Sequence, residues 1–213
     1  MNASGSASPP SPRGGRAPAT THGELSHVAL TLFFERGFES TTIDDIVTTA
    51  GIGRRTFFRY FPSKNDLPWG NFDLLLAQMR AHLWGVDRRE PLIEALRRAV
   101  VEFNRFPVDE LPYHRNRMWL LLNVPSLVAH STLRYASWRQ VIAEYVAERR
   151  GEHPNDLTPQ TIAWACLGLC LGAYEQWLAH EEADLLQLLD TAFFNAEAIF
   201  GVADANDPGA PSP

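Results

Sequence analysis

The chain has 213 residues, 45% hydrophobic and 21% charged, enough to bury a sizeable core in one or two domains. Its net charge of −6 argues against a uniformly basic nucleic-acid binder, but that charge is unevenly spread: +2 over residues 1–19, zero over 20–64 and −8 over 65–213. No N-terminal apolar segment reads as a secretory signal, and the most apolar run, Ile162 to Tyr174, falls short of the roughly 20 residues a membrane span needs, so a cytoplasmic protein is expected.

Residues 1–19 are Ser, Pro, Gly and Ala with two arginines, too poor in large apolar side chains to order, and 203–213 read the same way. Between them the apolar spacing is helical throughout, with no alternation of period two. Leu25, Val28, Ala29, Leu32 and Phe33 lie on one face of a first helix that Gly37 ends. Thr42 is a candidate N-cap for a short second helix, with Asp44 and Asp45 in its first turn and Ile43, Ile46, Val47 and Ala50 facing inward. Gly51-Ile52-Gly53 then turns the chain, and Arg54 to Phe61 form a third helix closed by Pro62.

A long fourth helix is expected from Ser63 to about Trp84, with a kink or late start at Pro68. Five more run approximately from Pro91 to Phe106, Pro112 to Asn123, Ser126 to Arg150, Pro159 to His180 and Asp184 to Phe200, with Thr158 the cap before Pro159. The expected fold is therefore all-α. A three-helix unit over 20–66 precedes a six-helix unit over 67–202. Cys166 and Cys170 stand four apart in one helix, where side chains point along the axis and do not bridge; they read as small core residues.

Residues 42–61 have the anatomy of a helix-turn-helix, two short helices meeting through a glycine turn plugged by Ile52. The second helix presents Arg54, Arg55, Thr56, Arg59 and Tyr60 on its free side, while Phe57 and Phe61 face inward. Such a helix fits the major groove, where arginine makes bidentate contacts to guanine. Lys64, the only lysine in the chain, is placed to meet a backbone phosphate. From Ile46 to Asn65 there is no acid.

On these residues the chain resembles the TetR family of bacterial regulators. Glu-Arg-Gly-Phe, Thr-Thr-Ile-Asp-Asp-Ile, Ala-Gly-Ile-Gly, Thr-Phe-Phe-Arg-Tyr-Phe and Pro-Ser-Lys-Asn-Asp-Leu follow its pattern between His22 and Leu67. The resemblance implies contacts to double-stranded DNA from Thr42, Arg54, Arg55, Thr56, Tyr60 and Lys64. Departures are Gly53 where serine is frequent, Arg55 where glycine is frequent, and Phe58 where a phosphate-binding tyrosine is frequent. Phe58 has no hydroxyl and is left out of the contact set. Leu-Arg-Arg-Ala-Val-Val-Glu-Phe-Asn-Arg-Phe-Pro and His-Ser-Thr-Leu-Arg-Tyr-Ala-Ser-Trp-Arg-Gln are similar to the mycofactocin system transcriptional regulators. That likeness implies control of a gene cluster for a peptide-derived redox cofactor in an actinobacterium, and eighteen arginines against one lysine suit a high-GC genome.

A palindromic operator needs a homodimer. Ala165, Gly168 and Gly172 make a smooth strip on one late helix, and Leu185, Leu188, Leu189 and Ala192 a stripe on the last; together they are the candidate dimer interface, with packing inside one chain as the alternative. Met79, Phe103, Trp119, Tyr135, Trp138, Trp164, Tyr174 and Trp177, with Arg134 as a polar anchor, are candidates to line an effector cavity, although each could equally fill a core. A largely apolar effector, with a fatty acyl chain as one class, fits that lining. The expected function is a transcriptional regulator, most simply a repressor. Two rivals remain: an architectural DNA binder without a sensor, and an all-helical enzyme. No His, Cys or acidic spacing suggests a metal, cofactor or nucleophile site.

Overall fold

The computed structural model describes residues 21–200, so the disorder expected for 1–19 and 203–213 lies outside the described residues. Within that range all regular structure is helical. The first helix, α1 (His22–Arg36), begins at Thr21, whose side chain accepts from the Glu24 amide while Glu24 caps the Thr21 N–H in return. It ends at Gly37, whose φ of +85° suits a residue without a Cβ. Next comes α2 (Ile43–Thr49), for which Thr42 is the N-cap as expected, paired with Asp45 in a second capping box. After the Gly51 turn, α3 (Arg54–Tyr60) is held by Phe57 and Phe61, both fully buried in the same core as Ile46 and the inner residues of α1.

The expected long fourth helix does not form as one rod. Lys64–Trp69 is a 3-10 segment, and α4 starts only at Phe72 and runs to Trp84. Pro68 has no N–H to continue an α-helical ladder, and Gly70 turns the chain with φ +54°. The break separates the three-helix unit from everything that follows.

The remaining helices are α5 (Leu92–Phe103), α6 (Leu111–Asn123), α7 (Pro125–Arg150), α8 (Leu157–Ala179) and α9 (Leu185–Phe200), with a 3-10 turn at Val108–Glu110 before α6. The N-cap of α8 is Asp156, two residues before Thr158, so Pro159 sits inside the first turn, where an absent N–H leaves nothing unpaired. α8 packs between α7 and α9, α5 lies on α9 and α4, and α6 bridges α1, α7 and α8. One continuous core results, with Leu96, Ile142, Ala163, Leu189 and Phe193 among its fully covered members. Each large apolar side chain covered this way contributes roughly 1.5–3 kcal/mol.

Polar contacts bind the two units at their junction. Asp66 accepts from Arg134 Nη2 at 2.7 Å, from Ser63 Oγ at 2.7 Å and from His130 Nε2 at 3.1 Å. Burial opposes its charge, but the hydrogen bonds from Arg134, Ser63 and His130 outweigh that and hold the carboxyl below the usual range. Ser26 donates to the Leu67 carbonyl at 3.0 Å, and Ser126 at the start of α7 donates to Glu39 at 2.6 Å. His27 stacks on Tyr113 at 4.0 Å and meets Glu110 at 3.1 Å.

Candidate nucleic-acid interface and effector cavity

The free side of α3 carries Arg54, Arg55 and Arg59, all exposed, with Thr56 and Tyr60 half-buried. Arg54 donates to both carboxylate oxygens of Asp44 at 3.0 Å, which fixes its guanidinium across the helix-turn-helix. Arg55 meets no carboxylate among the described residues and is free to reach outward. The Arg59 guanidinium lies 5.0 Å from the Tyr60 ring centre, and its Nη2 donates to the Tyr60 hydroxyl at 3.4 Å. The Thr42 hydroxyl is spent on capping α2. Lys64 is more enclosed than its sequence role suggests. Its ammonium donates to the carbonyls of Phe38 at 2.8 Å and Thr41 at 3.1 Å and sits over the Phe38 ring, so it ties the α1–α2 connection to the 3-10 segment. Phe58 is 48% exposed, edge-on to Phe57, and adds an apolar surface to this face.

A small cavity of about 70 Å³ lies between the 3-10 segment, α4, α5, α6, α7 and α8. Four of the expected lining residues are there: Phe103, Tyr135, Trp138 and Tyr174. Five are not. Trp119 and Trp164 are 46% and 56% exposed, and Arg139 covers the Trp164 ring at 3.5 Å. Arg134 turns to Asp66 and Asp73, Met79 is buried between α4 and α5, and Trp177 packs behind His114 under Arg115. Helical spacing shows which residues share a face, but not which of several buried faces encloses a void.

Trp69, Asn104, His114 and Arg117 complete the polar part of the wall, and spacing alone gave no signal for them. His114 Nε2 lies 2.8 Å from the Tyr174 hydroxyl, which in turn donates to Asn104 Oδ1; Asn104 Nδ2 donates to the Val100 carbonyl at 2.8 Å. Because the Tyr174 proton goes to Asn104, the imidazole is the donor to Tyr174 and carries its proton on Nε2. Burial, aided by the nearby Arg117 charge, drives the His114 pKa well down and keeps the ring neutral. Burial likewise pushes the Cys166 thiol up to about 12 and raises Cys170, so neither is a ready nucleophile.

On the outer side of α8, Ala165, Gly168 and Gly172 are exposed, and a Cβ built on either glycine would meet nothing within 4 Å. Leu188 and Ala192 are half-buried on α9, with Phe194 beside them 67% exposed. Leu185 and Leu189, expected on that face, instead point inward, 4% and 0% exposed, and do not reach a surface open to a second copy.

A helix-turn-helix joined to a helical body that encloses a cavity defines a class of ligand-responsive DNA-binding regulators. Residues 25–67 match the model for bacterial regulatory proteins of the tetR family, and residues 90–200 match the MftR C-terminal domain. The chain is 47% identical over 181 residues to the mycofactocin biosynthesis transcriptional regulator MftR of Mycobacterium tuberculosis, covering 85% of this chain and 91% of that one. The chain therefore belongs to the TetR family of transcriptional regulators, with a C-terminal domain of the MftR type. In fold it is similar to a TetR-family regulator from Syntrophomonas wolfei (TM-score 0.64, 16% identity, 87% of this chain and 97% of that one). It is also similar to Thermus thermophilus FadR, a repressor solved with lauroyl-CoA (TM-score 0.56, 21% identity, 91% of this chain and all of the other). TetR regulators bind DNA, typically as homodimers that respond to small molecules. No helix among the described residues is long and apolar enough to cross a membrane.

Proposed function

We propose that the protein is a cytoplasmic repressor that binds a palindromic operator as a homodimer, controls a mycofactocin-related gene cluster, and releases DNA when a largely apolar effector enters the cavity. The observation that carries this reading is the cavity's position. Trp69 and Phe72 flank the Gly70 break, so the same wall residues that would meet a ligand sit at the joint between the DNA-reading unit and α4. Arg55, Arg59 and Tyr60 would contact DNA, with Arg54, Thr56 and Lys64 beside them and Thr42 at the start of α2. The exposed strip of Ala165, Gly168 and Gly172, with Leu188, Ala192 and Phe194, would meet the same strip of a second copy.

Release follows from linkage: a ligand shifts the equilibrium only by its differential affinity for the two arrangements, and a swing from 1:99 to 99:1 takes about 5.5 kcal/mol. Tilting α4 at Gly70 would change the separation of the two α3 helices. A fatty acyl group, as in the FadR complex, is one effector class that fits the apolar walls. The test is fluorescence anisotropy of promoter DNA and a scrambled control at one salt concentration, with and without acyl thioesters. Specific binding that an effector weakens is expected; equal affinity for both sequences would leave an architectural binder.

A further inference from the structure

We propose that the cavity takes a monoanion with an apolar body, a carboxylic acid whose carboxylate pairs with Arg117; this rests on the reading of the protein as a ligand-controlled regulator. Arg117 projects from α6 into the cavity wall, and among the described residues its guanidinium makes no hydrogen bond and no ion pair. Its Nε is fully covered and unpartnered. Burial pulls its pKa down, the direction expected of a cation with no counter-charge. The acid that most affects it, Glu110, meets His27 at 3.1 Å instead. Among the described residues, no carboxylate lines the cavity.

Two further donors of the same wall are also left over. Trp69 Nε1 and the Tyr135 hydroxyl are buried and make no hydrogen bond of normal geometry among the described residues. Buried donors without acceptors cost free energy, and an unpaired buried charge costs more, so a ligand supplying acceptor oxygens and one negative charge relieves both. One charge is the right number. His114, the other basic group in the wall, is held neutral and committed through Nε2, so the site offers a single cation and no match for a phosphate dianion. Phe72, Phe103, Trp138 and Leu167 supply apolar surface for the rest of the molecule.

The arginine also touches the joint. A Cβ built on Gly70 would lie 3.6 Å from Arg117 Nη2, so a carboxylate that draws the guanidinium into the cavity changes the surroundings of the residue whose φ of +54° separates the DNA-reading unit from α4. Ion pairing is thereby transmitted to the place where the two units can move.

The experiment titrates purified full-length protein with decanoate and 3-phenylpropionate and with their methyl esters, followed by tryptophan fluorescence, for wild type, Arg117→Met and Arg117→Lys. Each acid should bind wild type at least about tenfold more tightly than its ester, the usual size of a charge-assisted hydrogen bond. Arg117→Met should lose that preference, and Arg117→Lys should keep part of it. Without ligand, Arg117→Met should melt at or above wild type, because it removes a largely covered charge that has no counter-ion among the described residues. Equal binding of acid and ester, no binding by either, an unchanged preference in Arg117→Met, or a clear fall in its unliganded melting temperature would each overturn the assignment. Anisotropy of promoter DNA run in parallel separates this from the functional reading. If neutral acyl thioesters still release DNA while the acid preference is absent, only the anion assignment fails.

Discussion

At the α3 end four cations, Arg54, Arg55, Arg59 and Lys64, fall within eleven consecutive residues, and only Arg54 is paired with an acid, Asp44. In the cavity a single cation, Arg117, stands among the described residues in a wall drawn from six separate segments, with no acid among them. The first arrangement is cheap because each charge is already met, by water at Arg55 and Arg59, by Asp44 at Arg54 and by two carbonyls at Lys64; the second is costly until a counter-ion arrives. A surface site of this kind can be built from one short run of sequence. An enclosed one needs the whole bundle, and its state reports on whether something is bound.

The comparison is broken most severely through the anchor of α3. Phe57→Ala should cost about 3–5 kcal/mol of stability, since the ring is fully buried beneath the reading helix, whereas Phe58→Ala, half-exposed next to it, should cost less than about 0.5 kcal/mol. Chemical denaturation of the two variants measures the contrast. Equal losses would mean that α3 is turned the other way.

A smaller effect is expected where the two regions meet. Asp66→Asn should cost about 1–3 kcal/mol by weakening the contacts to Arg134, His130 and Ser63. The folded carboxyl titrates below its ordinary value, so its contribution is complete above the ordinary carboxylate range and is lost as pH falls through the folded value. Wild type should therefore lose stability on acidification to about pH 3 more steeply than Asp66→Asn, a difference that melts across pH would show. Parallel curves would remove Asp66 from the junction's account.

Within the DNA face, Arg55→Ala should cost about 1–3 kcal/mol against the one base pair it reads and little against others. Lys64→Met should weaken all DNA sequences alike. It should also lower stability by roughly 1 kcal/mol, because the Phe38 and Thr41 carbonyls lose their donor. Anisotropy on single-base operator variants distinguishes the two patterns.

These contrasts follow what could and could not be read from the residues in order. The helix-turn-helix was legible because Thr42, Gly51, Ile52 and the Phe57–Phe61 pair act within a few turns of one another, where capping and period dominate. The Pro68 break was foreseen as a kink or late start; its 3-10 form and the Gly70 turn depend on how Leu67 and Trp69 pack against α1 and α7. The cavity was less visible. Trp119 and Trp164 have the same residue type and helical spacing as Trp138, yet only Trp138 faces the void, because the direction each face takes is set by neighbours far away in sequence. Arg117 gave no sign at all, its meaning being the absence of an acid on five other segments. Leu185 and Leu189 misled for a related reason: α9 must spend one stripe on α8 and α5 before any other is free for a second copy.

The most direct measurement is selection of binding sequences from a random DNA pool by the purified protein. Paired α3 helices predict a two-fold symmetric motif with half-sites about 10 base pairs apart, or a multiple of that spacing, and loss of the motif in Arg55→Ala. Enrichment of an unpaired half-site, or of nothing beyond the starting pool, would contradict a symmetric pair of chains reading DNA through this face.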